Sequence, residues 1–128
     1  MTILNKNILI IDDESNILKS LARILEDKYN VVTSLGGQIA LDKLSENNLQ
    51  YDVILCDINM PIMTGADFYK KVTDMFPELK ERIIFMSGGT YSHDLNEFMA
   101  RMKNPCLEKP FDVEKLYESI NKVLSTIT

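Results

Sequence analysis

The chain has 128 residues, of which 45% are hydrophobic and 26% charged, and its 14 Lys and Arg against 19 Asp and Glu give a net charge of -5 at pH 7. This length and composition are typical of one globular domain and argue against a disordered or repeat protein. The acidic charge argues against a nucleic-acid partner, because such a surface must supply clustered cations. The longest apolar runs have four residues, far short of the roughly 20 that cross a bilayer, so no direct membrane contact is expected.

The N-terminus and the cysteines favour a cytoplasmic location. Residues 1–7 lack a basic flank followed by an apolar stretch, which a secretory signal would require. Cys56 and Cys106 both lie in apolar, strand-like runs, so we expect two reduced and buried thiols.

Five short apolar segments rich in Ile and Val alternate with longer segments of helical periodicity. The predicted strands cover residues 8–12, 30–34, 53–57, 83–87 and 105–108. Such alternation is typical of a parallel sheet with crossover helices. The first, third and fourth segments are the most continuously apolar and predict central strands, whereas the second and fifth predict edge strands.

Apolar side chains at helical spacing predict the helices between these strands. The first helix carries Ile17, Leu18, Leu21, Ile24 and Leu25; the fourth carries Leu95, Phe98, Met99 and Met102; the fifth carries Val113, Leu116, Ile120, Val123, Leu124 and Ile127. Weaker patterns cover residues 38–46 and 66–76. We therefore expect one α/β domain over residues 1–128. The stripe on the fourth helix is interpreted mainly as core packing, with a partner surface as the alternative, and His93 as a surface residue.

Polar residues end the predicted strands, where open parallel sheets gather their ligands. Asp12 and Asp13 end the first strand, Asp57 the third and Ser87 the fourth, and Lys109 follows the fifth. Crowded carboxylates stay ionised only beside a cation, and hard oxygen ligands suit Mg²⁺. For Asp12 and Asp13 the alternative is a capping and first-turn role at the first helix.

A carboxylate held rigidly beside a divalent cation can attack a phosphoryl group and form an acyl phosphate. Asp57 is the candidate nucleophile, and Lys109 and Ser87 are candidate partners for the charge on the transferred group. Considered singly, Asp57 is equally consistent with a strand-end turn and Lys109 with a solvated loop charge. Their joint occurrence at the ends of several strands favours the phosphoryl site.

The set of Asp12-Asp13, Asp57 with Met60-Pro61 and Gly65, Ser87, and Lys109-Pro110-Phe111 resembles the receiver domain of bacterial two-component response regulators. The resemblance covers essentially the whole chain. It implies a flavodoxin-like, doubly wound five-stranded parallel sheet in the order 2-1-3-4-5, an order that we take from the family.

The resemblance also implies the roles of individual residues. Asp57 matches the phosphoacceptor, which receives a phosphoryl group from a phosphohistidine on a sensor histidine kinase or a histidine phosphotransfer domain. Asp13 and Asp57 match direct Mg²⁺ ligands together with the backbone carbonyl of Asn59, and Asp12 matches an acid that acts through a metal-bound water. Ser87 and Lys109 match the hydroxyl and the ammonium that contact the phosphoryl oxygens, and the Lys109-Pro110 bond is expected to be cis.

Such a chain is not an enzyme acting on a separate substrate. It is a phosphoacceptor that assists its own phosphorylation and its own autodephosphorylation. Two glycines, Gly88 and Gly89, leave little bulk beside the site, which favours water access and rapid loss of the phosphate.

One position departs from the family pattern. The aromatic switch residue of the fifth strand, three positions before the lysine, is here Cys106, so no ring can rotate there. The output is then expected to depend on Ser87, on the loop at residues 88–91 and on the face formed by the fourth helix, fifth strand and fifth helix. A dimer that depends on phosphorylation is a further expectation.

The motifs look more like receivers of hybrid sensor kinases than like those of transcription factors, with a stand-alone regulator as the alternative. The chain ends at Thr128, and no effector domain is expected. Two other α/β classes are less consistent with these residues. A haloacid-dehalogenase-type phosphatase would carry Asp-x-Asp after the first strand, a pattern that this chain lacks. A flavodoxin-like FMN carrier is not expected either, because an acidic first loop would repel the phosphate of FMN. A receiver-like interaction module that works without phosphorylation is expected to have lost part of the Asp, Ser and Lys set.

Overall fold

The structure, a computed structural model, describes residues 6–46, 50–89 and 91–126. Its strands form one parallel sheet in the order β2-β1-β3-β4-β5, as predicted, with β2 and β5 at the edges. The strands are β1 (Asn7–Asp12), β2 (Asn30–Leu35), β3 (Val53–Asp57), β4 (Ile83–Ser87) and β5 (Cys106–Glu108). The helices are α1 (Ser15–Leu25), α2 (Gly37–Glu46), α3 (Gly65–Met75), α4 (His93–Arg101) and α5 (Val113–Thr126).

The element boundaries follow the predicted ones within a residue or two, with one unpredicted addition. A 3₁₀ helix at Pro77–Arg82 joins α3 to β4 and has Pro77 in its first turn, where a missing N–H costs nothing. Ile127 and Thr90, which belonged to the predicted fifth helix and to the glycine loop, lie outside the described residues. No helix in the described ranges is long and apolar enough to cross a membrane.

Helices cover both faces of the sheet, because alternate strand residues point to opposite sides. Leu9 and Ile11 of β1 belong to the core under α2, α3 and α4, whereas Ile8 and Ile10 belong to the core under α1 and α5. Every residue of β3 and β4 is buried. The three central strands are therefore held rigidly, and so are the residues at their carboxyl ends.

Helix α4 is attached to the sheet less firmly than the other helices. Leu95 is its only buried residue, while Phe98 and Met99 are half-buried against the core. The Phe98 ring packs edge-on against Phe85 with 5.4 Å between centroids. The predicted core role of this stripe is thus confirmed in part, since α4 ends at Arg101 and only partly buries its apolar side. His93 is exposed and pairs with Glu97 at 2.9 Å, as expected of a surface residue.

The expectation of two buried thiols is wrong for one of them. Cys56 is buried in β3, but Cys106 is exposed, and both are free. Cys106 lies beside Phe85 in the sheet, but β5 is a three-residue edge strand whose residues alternate between exposed and buried. An apolar run of this length therefore did not imply burial on both faces.

The start of α3 brings this helix unusually close to β3. Thr64 caps the helix by accepting a hydrogen bond from the Asp67 N–H, and the Asp67 carboxylate accepts one from the Thr64 N–H. The next residue, Gly65, leaves room for the backbone of Asp57 and Ile58; a Cβ there would lie 2.8 Å from the Asp57 carbonyl oxygen. This contact fixes the backbone that carries the Asp57 side chain.

Substitution of Gly65 by Ala should lower the free energy of unfolding by about 1–3 kcal/mol, because backbone atoms cannot move away from the added methyl group. Gly37→Ala is the matched control. Gly37 also begins a helix, but its added Cβ would meet the flexible thioether of Met63, so a change below about 1 kcal/mol is expected. Urea denaturation of both variants measures the difference; equal losses would contradict the proposed close approach.

Candidate functional site

The structure brings the polar ends of β1, β3 and β4 together at one edge of the sheet. Asp12, Asp57 and Ser87 are the last residues of these strands, and all three are buried. The parallel register aligns Ile11 with Cys56, so that Asp12 and Asp57 follow side by side. Asp13 lies just beyond β1 and is exposed.

Three carboxylates form a cluster suited to a divalent cation. Asp12, Asp13 and Asp57 each offer an oxygen, and these oxygens lie within 4.8 Å of one another. Carboxylate oxygens in a small, partly exposed group are the ligands that Mg²⁺ prefers. The Asn59 N–H lies 3.4 Å from Asp57 Oδ1, which places this residue at the site; a ligand role for its carbonyl stays a prediction.

Lys109 reaches into this cluster from the loop after β5. Its ammonium lies 3.0 Å from Asp12 Oδ2 and 3.5 Å from Asp57 Oδ1, and its side chain is only 20% exposed. Its backbone N–H donates to the Ser87 carbonyl at 2.6 Å, and the Lys109-Pro110 peptide is cis. A freely solvated loop lysine, the alternative drawn from the sequence, does not describe this geometry.

Asp12 also contacts the chain that leads into α1. Its Oδ1 accepts a hydrogen bond from the Glu14 N–H at 3.0 Å, while its Oδ2 faces Lys109. The residue at the N-cap position is Glu14, which makes no side-chain capping bond. Neither Asp12 nor Asp13 is therefore the N-cap of α1, and the alternative of a purely capping acid pair is not supported.

Burial and like charge shape the titration of this site. Burial and then the Asp12 charge raise the pKa of Asp57 to about 6, and Lys109 only partly opposes them. For Lys109, burial alone would lower the pKa, but the hydrogen bond to Asp12 and the charges of Asp57 and Asp12 raise it overall. One ammonium thus does not compensate three carboxylates, and an added cation is electrostatically favoured.

The structure shows two features that the sequence did not predict. The Tyr91 hydroxyl accepts a hydrogen bond from the Gly88 N–H, next to Ser87; the sequence placed Tyr91 in the loop at residues 88–91 but indicated no contact for its side chain. Ile62 is fully exposed and adopts φ 68°, a left-handed conformation that is rare for a β-branched residue. For the Tyr91 contact, the available sequence signal was a tyrosine that closely follows a glycine pair. No sequence pattern indicated the left-handed conformation of Ile62.

Replacing Asp57 with Asn should stabilise the metal-free protein above pH 6. An acid whose pKa is higher in the folded state costs folding free energy when ionised, and this cost fades as the pH falls from about 6 toward the unfolded value near 4. The free energy of unfolding of the variant should therefore exceed that of the wild type by about 1–2 kcal/mol at pH 7.5, after allowance for solvent screening. At pH 4.5 this gap between the two proteins should be small.

Chemical denaturation in the presence of a chelator, at both pH values, measures this gap. Asp74→Asn, on the exposed side of α3, is the control and should show no such pH-dependent gain. A gap that is absent at pH 7.5, or that grows on acidification, contradicts the assigned charge balance. Addition of Mg²⁺ should narrow the gap, because the cation stabilises the ionised wild-type cluster.

Comparisons with known proteins agree with this architecture. Residues 8–121 match the family model of the response regulator receiver domain. The response regulator SaeR of Staphylococcus epidermidis is 30% identical over 123 residues, which cover 95% of this chain and 52% of that protein. The response regulator ArlR of Staphylococcus aureus is 29% identical over 118 residues, covering 91% and 52%. The chain thus spans about half the length of these curated relatives.

Solved structures give the same result. A response regulator receiver domain protein from Clostridium thermocellum has a TM-score of 0.80 at 29% identity, covering 94% of this chain and 95% of the other. The chemotaxis protein CheY4 of Vibrio cholerae has a TM-score of 0.78 at 33% identity, covering 94% and 99%. On the family match, which the fold and these neighbours support, the chain belongs to the response regulator receiver domain family.

Proposed function

We propose that this receiver domain works as a phosphorylation switch in which Asp57 accepts a phosphoryl group from a phosphohistidine. The donor is a sensor histidine kinase or a histidine phosphotransfer domain. The observation that carries the proposal is the position of Asp57, a buried carboxylate 3.5 Å from the Lys109 ammonium and inside a cluster of three acids. This arrangement serves a nucleophile that must be both held rigidly and neutralised during attack.

The transfer itself requires few protein groups. A carboxylate oxygen of Asp57 forms a bond to phosphorus while the bond from phosphorus to the imidazole nitrogen breaks, and that nitrogen leaves with the electron pair. Lys109 neutralises charge on the phosphoryl oxygens, and the Ser87 hydroxyl donates a hydrogen bond to one of them. Because Asp57 and Ser87 end neighbouring strands, both lie at the same edge of the sheet, and a movement of Ser87 brings its hydroxyl to the phosphoryl group.

The carboxylate cluster fits a bound Mg²⁺. Asp13 and Asp57 would hold the ion directly with the Asn59 carbonyl, and Asp12 would act through a water. The ion would supply positive charge that lets a phosphoryl group approach three carboxylates. Asp12 is more deeply buried than Asp13 and is already paired with Lys109, which supports its assignment to the indirect position.

The same site supports autodephosphorylation. Gly88 lies against the Lys109 side chain and Gly89 has φ 89°, a conformation suited to glycine. Neither residue presents a side chain that would shield a phosphoryl group on Asp57 from water. We therefore expect a phosphorylated form that decays without a separate phosphatase, and a lifetime of many hours contradicts this part of the proposal.

The setting of the switch is also proposed. Residues 1–128 are taken as a single receiver domain acting in the cytoplasm, either alone or as part of a hybrid histidine kinase, and signalling through the face of α4, β5 and α5. Phosphorylation-dependent dimerisation belongs to the same proposal. A receiver-like module that works without phosphorylation is not favoured, because Asp12, Asp13, Asp57, Ser87 and Lys109 are all present and brought together.

Incubation of the wild type with acetyl phosphate and Mg²⁺ should add one phosphoryl group, detected as a gain in intact mass. The gain should be lost with a chelator and in Asp57→Asn, because the first removes the cation and the second the nucleophile. Asp74→Asn should behave as the wild type. Lys109→Gln should reduce the rate of phosphorylation by about 10-fold or more, the cost of losing a charge-assisted contact to the transferred group.

The intact-mass measurement distinguishes the phosphorylation switch from an interaction module that works without phosphorylation. An adduct that persists in Asp57→Asn would place the modification elsewhere. Absence of any adduct in the wild type, with Mg²⁺ binding shown by calorimetry and short reaction times sampled, would favour the interaction module instead.

A further inference from the structure

The position from which receivers commonly couple phosphorylation to their surface lacks a ring in this chain. Cys106 occupies it, is exposed and has no aromatic group to move. The described residues nevertheless contain an aromatic residue with a direct contact to the segment that follows β4. That residue is Tyr91, which leads into α4.

The ring of Tyr91 is anchored at both ends of its side chain. It is half-buried against the core beneath α4, and its hydroxyl accepts a hydrogen bond from the Gly88 N–H. The bond therefore links the core packing of α4 to the backbone at the end of β4.

The 87–88 peptide receives a second contact from the opposite direction. The Ser87 carbonyl accepts the Lys109 N–H at 2.6 Å, and the Gly88 Cα faces the Lys109 side chain so closely that an added Cβ would lie 3.2 Å from Lys109 Cβ. The peptide that joins Ser87 to Gly88 is thus held by Lys109 and by Tyr91. A shift of Ser87 toward Asp57 that moves this peptide therefore changes the hydrogen bond between the Gly88 N–H and the Tyr91 hydroxyl.

Helix α4 is suited to respond to such a shift. Leu95 is its only buried residue, and its first turn is tied to the preceding loop by the Ser92 hydroxyl, which accepts a hydrogen bond from the Leu95 N–H at 3.3 Å. The Asn96 amide lies 3.5 Å from the Tyr91 carbonyl. Few buried contacts resist a movement of this helix, and Tyr91 directly precedes its cap.

We propose that Tyr91 is the positioning residue that couples Asp57 to α4, by holding the Gly88 N–H in the unphosphorylated protein and releasing it when Ser87 moves onto the phosphoryl group. The inference rests on the proposed phosphorylation of Asp57. In this chain the mobile aromatic ring is therefore supplied by the loop before α4, and not by β5.

Tyr91→Phe tests the inference because it removes only the hydroxyl. The variant should be phosphorylated by acetyl phosphate about three- to tenfold faster than the wild type, since the hydrogen bond that opposes movement of Ser87 is gone; this factor is the equilibrium effect of one net hydrogen bond. Tyr117→Phe is the matched control. Its hydroxyl donates to the Ile24 carbonyl on the other face of the sheet, and its loss should leave the rate unchanged.

A spectroscopic measurement separates coupling from a merely structural role. The chain contains five tyrosines, so the protein labelled with 3-fluorotyrosine gives a small set of ¹⁹F resonances, and the Tyr91 signal is the one absent from Tyr91→Phe. With Mg²⁺ and excess acetyl phosphate this signal should shift and then return as the phosphate is lost. The Tyr117 signal should stay in place, and in Asp57→Asn the Tyr91 signal should not move.

Failure of this inference and failure of the proposed function give different results. A phosphoryl adduct on the wild type, together with an unmoved Tyr91 resonance and an unchanged rate in Tyr91→Phe, overturns the role of Tyr91 and leaves the switch intact. No adduct on the wild type by intact mass overturns the proposed function and, with it, the inference.

Discussion

The incomplete neutralisation of negative charge at the carboxyl ends of β1 and β3 is the constraint on which the site depends. Asp12 and Asp57 are carried there by strands whose apolar side chains are buried on both faces, so the carboxylates cannot separate without disrupting the core. Lys109 supplies one positive charge and lies closer to Asp12 than to Asp57. The remaining repulsion and the burial fall on Asp57 and raise its pKa, so an added cation beside this carboxylate is favoured.

The rest of the fold can be understood as support for this arrangement. Gly65 lets α3 approach the backbone of Asp57, the capping pair of Thr64 and Asp67 fixes where that helix begins, and the Ser87 carbonyl orients the Lys109 backbone. Each contact acts on the main chain next to a charged side chain. The stability of the core therefore keeps these like charges close together. Without it, small movements of the backbone would separate them and relieve their repulsion.

The sequence predicted the sheet, its central strands and the meeting of Asp12, Asp57 and Ser87, because buried parallel strands have an unambiguous apolar pattern and end in polar residues. It was less informative where a few side chains decide the outcome. Cys106 was expected to be buried because an edge strand has the same apolar run as a covered one. The contact between Tyr91 and Gly88 was not predicted, since a tyrosine that follows a glycine pair indicates a nearby ring but not which backbone group its hydroxyl reaches. Strand order came from the family resemblance and not from periodicity.

The absence of a ring at Cys106 bears on how a receiver transmits its state. A coupling residue needs two properties: a contact with the segment after β4, and side-chain packing that changes when the helix moves. On β5 one aromatic side chain would have to supply both, but Cys106 is small and exposed. Tyr91 has the first property through its hydroxyl and the second through its half-buried ring. Because Leu95 is the only buried residue of α4, few buried contacts hold the start of that helix in place, and one net hydrogen bond contributes about 0.5–1.5 kcal/mol. A contact of that size at Gly88 is therefore sufficient to bias the position of α4.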